Sequence, residues 1–140
     1  MSSDPGHTSG DAPRLTEIRH ALVHLHKSLV DYDRVRYEKT VGAIQSPNHF
    51  LELLMRDPWF AWLHPLSNLV VRIDQMLEGE AEANLAEAYG LLREAQALLR
   101  PSEQGDGFER SYYEALQRMP DVVLAHAQVK QVLKTVPAAV

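Results

Sequence analysis

Apolar positions recur at three- and four-residue spacing along nearly the whole chain, the period of helices with one buried stripe. From Leu15 the stripe runs through Ile18, Leu22, Leu25, Leu29 and Tyr32. A second, adjoining stripe of Val23, His26, Val30, Tyr37, Val41 and Ile44 widens the apolar arc to about half the circumference at 100° per residue. One neighbour needs less than that, so the pattern predicts a long first helix packed against at least two others, ending near Gly42. Ser46-Pro47 reads as an N-cap with proline in the first turn, opening a short helix to Arg56 that offers Phe50, Leu51, Leu53 and Leu54. Asp57-Pro58 repeats that signal and opens a turn or short helix.

After Pro65 the period resumes with Leu66, Leu69, Val70, Ile73, Met76 and Leu77, and stops at Gly79. A further helix carries Leu85, Ala88, Leu92, Ala95 and Leu99 up to Arg100-Pro101. A polar linker from Ser102 to Gly107 follows, then a helix from Phe108 to Arg118. Pro120 interrupts, and Asp121 restarts the period with Val122, Ala125, Val129, Val132 and Val136. Strand-type alternation is absent from the sequence. The expected fold is all-α: an antiparallel helical bundle of four main helices, with one or two short helices at an aromatic elbow. Residues 1–13, rich in Ser, Gly, Asp and Pro, read as a flexible N-terminal tail, and 14–136 as a single helical-bundle domain.

The elbow is Asp57-Pro58-Trp59-Phe60-Ala61-Trp62-Leu63-His64-Pro65-Leu66, which holds both tryptophans between two prolines. Prolines fix backbone direction and tryptophans bring the largest apolar surfaces, so several elements are expected to meet there. Trp59, Phe60, Trp62, His64 and Phe50 either close one end of the bundle or form an interaction surface or pocket.

Composition narrows the chemistry. The chain of 140 residues has no cysteine, which excludes disulfides, thiolate catalysis and cysteine-held metals, and fits a reducing cytoplasm. Its N-terminus lacks the basic start and apolar run of a secretory signal, and no apolar run is long enough to span a membrane. A net charge of −5 argues against nucleic acid, whose phosphates need a clustered positive face. Asp74, Glu78, Glu80, Glu82 and Glu87 crowd one connection, as a solvated turn and acidic helix start or as a docking patch for a basic partner.

The histidines are the remaining chemical candidates. His20 and His24 stand four apart, with Asp31 further along, a spacing that could hold a surface metal; the wheel puts them opposite the leucine stripe, facing water. His26 and His126 border apolar seams, and His64 sits in the elbow. Facing inward from different helices they could ligate haem or a divalent metal. Otherwise His26 and His126 are edge residues hydrogen-bonded to a tyrosine or a carbonyl, and His64 caps exposed carbonyls. Glu17-Ile18-Arg19-His20 supplies one Glu-x-x-His motif where a di-iron bundle needs two. Arg19 to His24 resembles the Arg-His-x-x-x-His motif of HEPN-type ribonucleases, but lies on the first helix rather than late in the fold.

The run from Asp57 to Asp74 (DPWFAWLHPLSNLVVRID) resembles the signature stretch, DPxFAWLxPLSxLxxxID, of a small family of uncharacterised bacterial helical proteins. Leu116 to His126 (LQRMPDVVLAH) is similar to its second block, and the likeness extends from about Leu15 to Leu133. The resemblance implies a bacterial, cytoplasmic helical protein and brings no activity or catalytic residue with it. It places His64, Asp74 and His126 within signature blocks. Together these readings lead to the expectation of a non-enzymatic interaction or regulatory module without cofactor, acting through a homo-oligomer or a protein partner. The alternative is a haem- or metal-binding sensor.

Overall fold

The computed structural model describes residues 15–79 and 85–134, which form six α-helices and one 3-10 segment with no strand among them. The helices are α1 (Leu15–Thr40), α2 (Pro47–Arg56), α3 (His64–Glu78), α4 (Leu85–Leu98), α5 (Phe108–Arg118) and α6 (Pro120–Leu133); the 3-10 segment, Pro58–Leu63, lies between α2 and α3. The expected tail, the acidic residues Glu80 and Glu82, and Val136 lie outside the described residues.

Helix α1 is the axis of the packing. It lies against α6 on one side and α3 on another and also touches the 3-10 segment; α4 packs on α3, and α5 on α6 and the 3-10 segment. Every member of its leading stripe, Leu15 through Tyr32, is buried. The adjoining stripe is a partial match. Tyr37 is buried, His26 and Val30 are half-buried, and Val23 and Val41 are exposed. The arc instead continues through Ala21, Ser28 and Asp33, all buried. Packing against two helices selects residues by direction rather than by hydropathy, so one serine and one aspartate fall inside.

Local chemistry sets the boundaries. The Ser46 hydroxyl accepts the His49 N–H (3.0 Å), and His49 Nδ1 accepts the Gln45 N–H (3.0 Å), a reciprocal cap on α2. Asp57 ends α2 with its own N–H on Leu53 O (2.9 Å) and starts the next element by accepting the Trp59 N–H at Oδ1 (2.8 Å). The 3-10 segment runs straight into α3, which begins at His64 rather than after Pro65, because Pro65 fits the first turn of a helix, where no N–H is required. Met119 likewise closes α5 and opens α6, with Pro120 as its first residue. Gly107 precedes α5 at φ +57°, a conformation in which a Cβ would be strained. No helix among the described residues is long and apolar enough to cross a membrane.

Candidate functional site

Two aromatic groups meet around one buried carboxylate. In the first, Tyr37 packs edge-on against Trp59 (ring centroids 5.7 Å) and at a tilt on Phe60 (5.4 Å), and Phe50 meets Phe60 edge-on (5.8 Å). In the second, Trp62 lies on Phe108 (5.6 Å), Phe108 on Tyr112 (5.3 Å) and Tyr112 on His126 (5.3 Å). Asp33, fully buried on α1, joins them. Its Oδ2 accepts the Trp62 indole N–H (2.8 Å) and its Oδ1 accepts Arg36 Nη1 (2.6 Å). The Arg36 guanidinium in turn lies over the Trp59 and Tyr32 rings, 5.1 and 5.6 Å from their centroids.

Burial pushes the Asp33 carboxyl above its ordinary value, against the opposing pull of the Trp62 and Arg36 hydrogen bonds and the Arg36 charge. The Trp59 indole N–H is buried and has no acceptor in hydrogen-bond geometry, although it adds to the field that favours the carboxylate. A buried acid held by an indole and a guanidinium is a structural clamp between α1 and the elbow. Its oxygens are already engaged.

The expected contact residues face inward to different degrees. Phe60 has no accessible surface, so it offers nothing to a partner. Trp59, Trp62, His64 and Phe50 are half-buried. His64 Nε2–H donates to Leu54 O (2.9 Å), satisfying a carbonyl in the last turn of α2. This is the carbonyl-capping role among the alternatives drawn from the sequence. Phe50 is covered from outside by the Arg34 guanidinium, 5.1 Å from its centroid.

His126 hydrogen-bonds the Tyr112 hydroxyl through Nδ1. Burial raises the Tyr112 pKa, which keeps the hydroxyl protonated and a donor to neutral imidazole. Burial and the Lys130 charge hold His126 below the ordinary histidine value, and burial does the same to half-buried His26. His20, His24 and Asp31 are exposed, and Asp31 accepts Lys27 Nζ (3.1 Å). Arg19 reaches across to Asp74 on α3 in a close ion pair, which employs the arginine of the ribonuclease-like run as a helix-to-helix tie. Among the described residues, no three of His, Asp and Glu stand together in an arrangement that could hold a metal ion. His26, His64 and His126 are therefore not gathered into one such set, nor are His20, His24 and Asp31.

An open groove of about 390 Å³ is lined by Pro65, Leu69, Ala97 and Leu98, with Glu94 and Glu109 beside them. Both Glu94 oxygens are taken by Arg72 (2.8 and 2.9 Å). The more distinctive surface is α2. It is strongly amphipathic in sequence, yet none of its residues is buried. Phe50, Leu53 and Leu54 rest on the core, whereas Leu51 and Met55, one turn apart, are 55% and 59% exposed. The sequence period marked Leu51 as apolar but gave no sign that the core would leave it outside. No known protein family, curated protein or solved structure matches this chain.

Proposed function

We propose that the chain is a non-enzymatic, antiparallel helical-bundle module of the cytoplasm that works by contact, through self-association or a protein partner, and that α2 is the contact element. The observation that carries this reading is an amphipathic helix with no buried residue, whose Leu51 and Met55 point away from the core. Apolar side chains paired one turn apart on an exposed helix face are the usual anchors of helix-mediated recognition. The elbow aromatics serve as the platform. Phe60 supports Phe50 from beneath, His64 holds the last turn of α2, and the Asp33 clamp fixes Trp62 and Trp59 behind it.

The test is a photoreactive phenylalanine analogue at position 51, with exposed Asn68 on α3 as the control position, irradiated in the native host. Protein crosslinks at 51 that are absent at 68 are the expected result. No crosslink at 51 would defeat the reading.

A further inference from the structure

We infer that the occupant of the α2 face is a second copy of this chain, docked antiparallel across a two-fold axis. The inference rests on the contact reading above and adds the partner and its register. The argument is charge self-complementarity on one helix. Next to Leu51 and Met55, one position further along in each case, stand Glu52 and Arg56, both largely exposed and 3.5 Å apart as an i, i+4 pair.

A two-fold axis at the level of Leu54 inverts the helix about that residue. Glu52, two residues before it, then comes level with Arg56 of the second copy, two residues after it. The same operation pairs Arg56 with Glu52 of the second copy. Residues flanking one side of an antiparallel helix seam meet their own counterparts, so both pairs form on one edge. Leu51 and Met55 of each copy then interleave beside them, removed from water. A foreign partner would have to supply a matched acid and base at this offset, whereas the chain already carries both. The exposed intrahelical Glu52–Arg56 pair contributes little by itself, so exchanging it for the intermolecular pair costs little.

The contact is small. A ten-residue helix is about 15 Å long, and such a seam falls short of the roughly 1,200 Å² of a stable complex. Association is therefore reversible and concentration-dependent.

The experiment is sedimentation velocity on the full chain across a concentration series, with circular dichroism as the check on folding. Wild type is expected to dimerise. Glu52→Arg places only positive charge along the seam edge and Arg56→Glu only negative, so each alone should weaken the homodimer at least about tenfold. Mixed in equal amounts, the two variants should recover association as a heterodimer, since each then faces the opposite charge. That rescue is specific to this register. A wild-type chain that stays monomeric overturns the inference, as does a dimer indifferent to both charge reversals or a mixture that shows no rescue. The contact reading fails separately. If the chain is monomeric and position 51 crosslinks to a different protein, the inference falls and the reading stands; if position 51 crosslinks to nothing, both fall.

Discussion

Helix α2 and the 3-10 segment after it share Asp57 as their boundary and touch through Phe50 and Phe60, yet they spend their apolar residues in opposite ways. The six residues Pro58–Leu63 bury Phe60 and Leu63 outright and send the Trp62 indole to Asp33, while the ten residues of α2 bury none. The shorter, less regular element is the better anchored. Its proline and tight turn aim Phe60 and Leu63 into the junction of α1, α3 and α5, which all contact it. A regular helix at the periphery can present only one narrow face to the core, and among the described residues none covers Leu51 and Met55 on the other apolar edge of α2. Apolar character alone therefore does not separate core from exposed surface here; the number of elements converging on a position does.

The comparison breaks most visibly if Phe60 and Leu51 respond alike to truncation. Phe60→Ala removes a fully buried ring in contact with Phe50 and Tyr37, and should cost about 3–5 kcal/mol in urea denaturation. A cost below about 1 kcal/mol would mean that the elbow is no better packed than the helix before it.

Next is the clamp behind the elbow. Asp33→Ala strands the Trp62 N–H and leaves Arg36 without its acid; breaking a buried charge pair costs about 3–5 kcal/mol, and the half-exposed Arg36 brings the expectation to about 2–4 kcal/mol. Asp33→Asn keeps an acceptor for the indole and should cost less. The pH response has a definite sign. Because the folded pKa of Asp33 is raised, the folded chain holds this proton more tightly than the unfolded one. The contribution of this group to stability is thus greatest in acid and falls as pH rises from the ordinary carboxylate value through the raised one. Asp33→Asn should remove that slope, and a carboxyl resonance titrating at or below the ordinary value would contradict the burial argument.

At the far end of the second aromatic group the sign reverses. His126 has a lowered folded pKa, so the unfolded chain binds its proton more readily. Stability from this residue is complete above the ordinary histidine value and is lost as pH falls through it toward the lowered one. Protonation also ends the donation from Tyr112 to Nδ1. Tyr112→Phe should cost about 1 kcal/mol for the lost hydrogen bond. It should also move the His126 titration upward in an NMR pH series; an unchanged midpoint would show that the hydroxyl does not hold the ring neutral.

The same contrast explains what the sequence disclosed. The limits of α2 followed from Ser46-Pro47 and Asp57, because caps and prolines act within a few residues of themselves. The leucine stripe of α1 was legible for the same reason. Asp33 was not. It stands four residues after Leu29 and four before Tyr37, on the i, i+4 line of the buried face, and this was the available signal. Its charge argued for water, and burial becomes tolerable because Arg36, three residues on, and Trp62, arriving from 29 positions away, take one oxygen each. His126 resembled His26 on the wheel, and a partner on a different helix separates them. The exposure of Leu51 was hidden too, since a period records an apolar face but not whether a neighbour covers it.

The smallest expected effect on folding is the most informative about function. Leu51→Ala removes a side chain already more than half in water, so chemical denaturation should show a change within about 0.5 kcal/mol. If α2 is a contact element, the same variant should weaken association clearly, because the leucine loses its remaining exposure only in the complex. Fold stability and association are thus expected to come apart at Leu51 and to stay together at Phe60, whose loss would unsettle the platform under Phe50 and α2 with it. A Leu51→Ala variant that loses stability as Phe60→Ala does would place Leu51 in the core. One that changes neither property would leave the exposed edge of α2 without a role in contact.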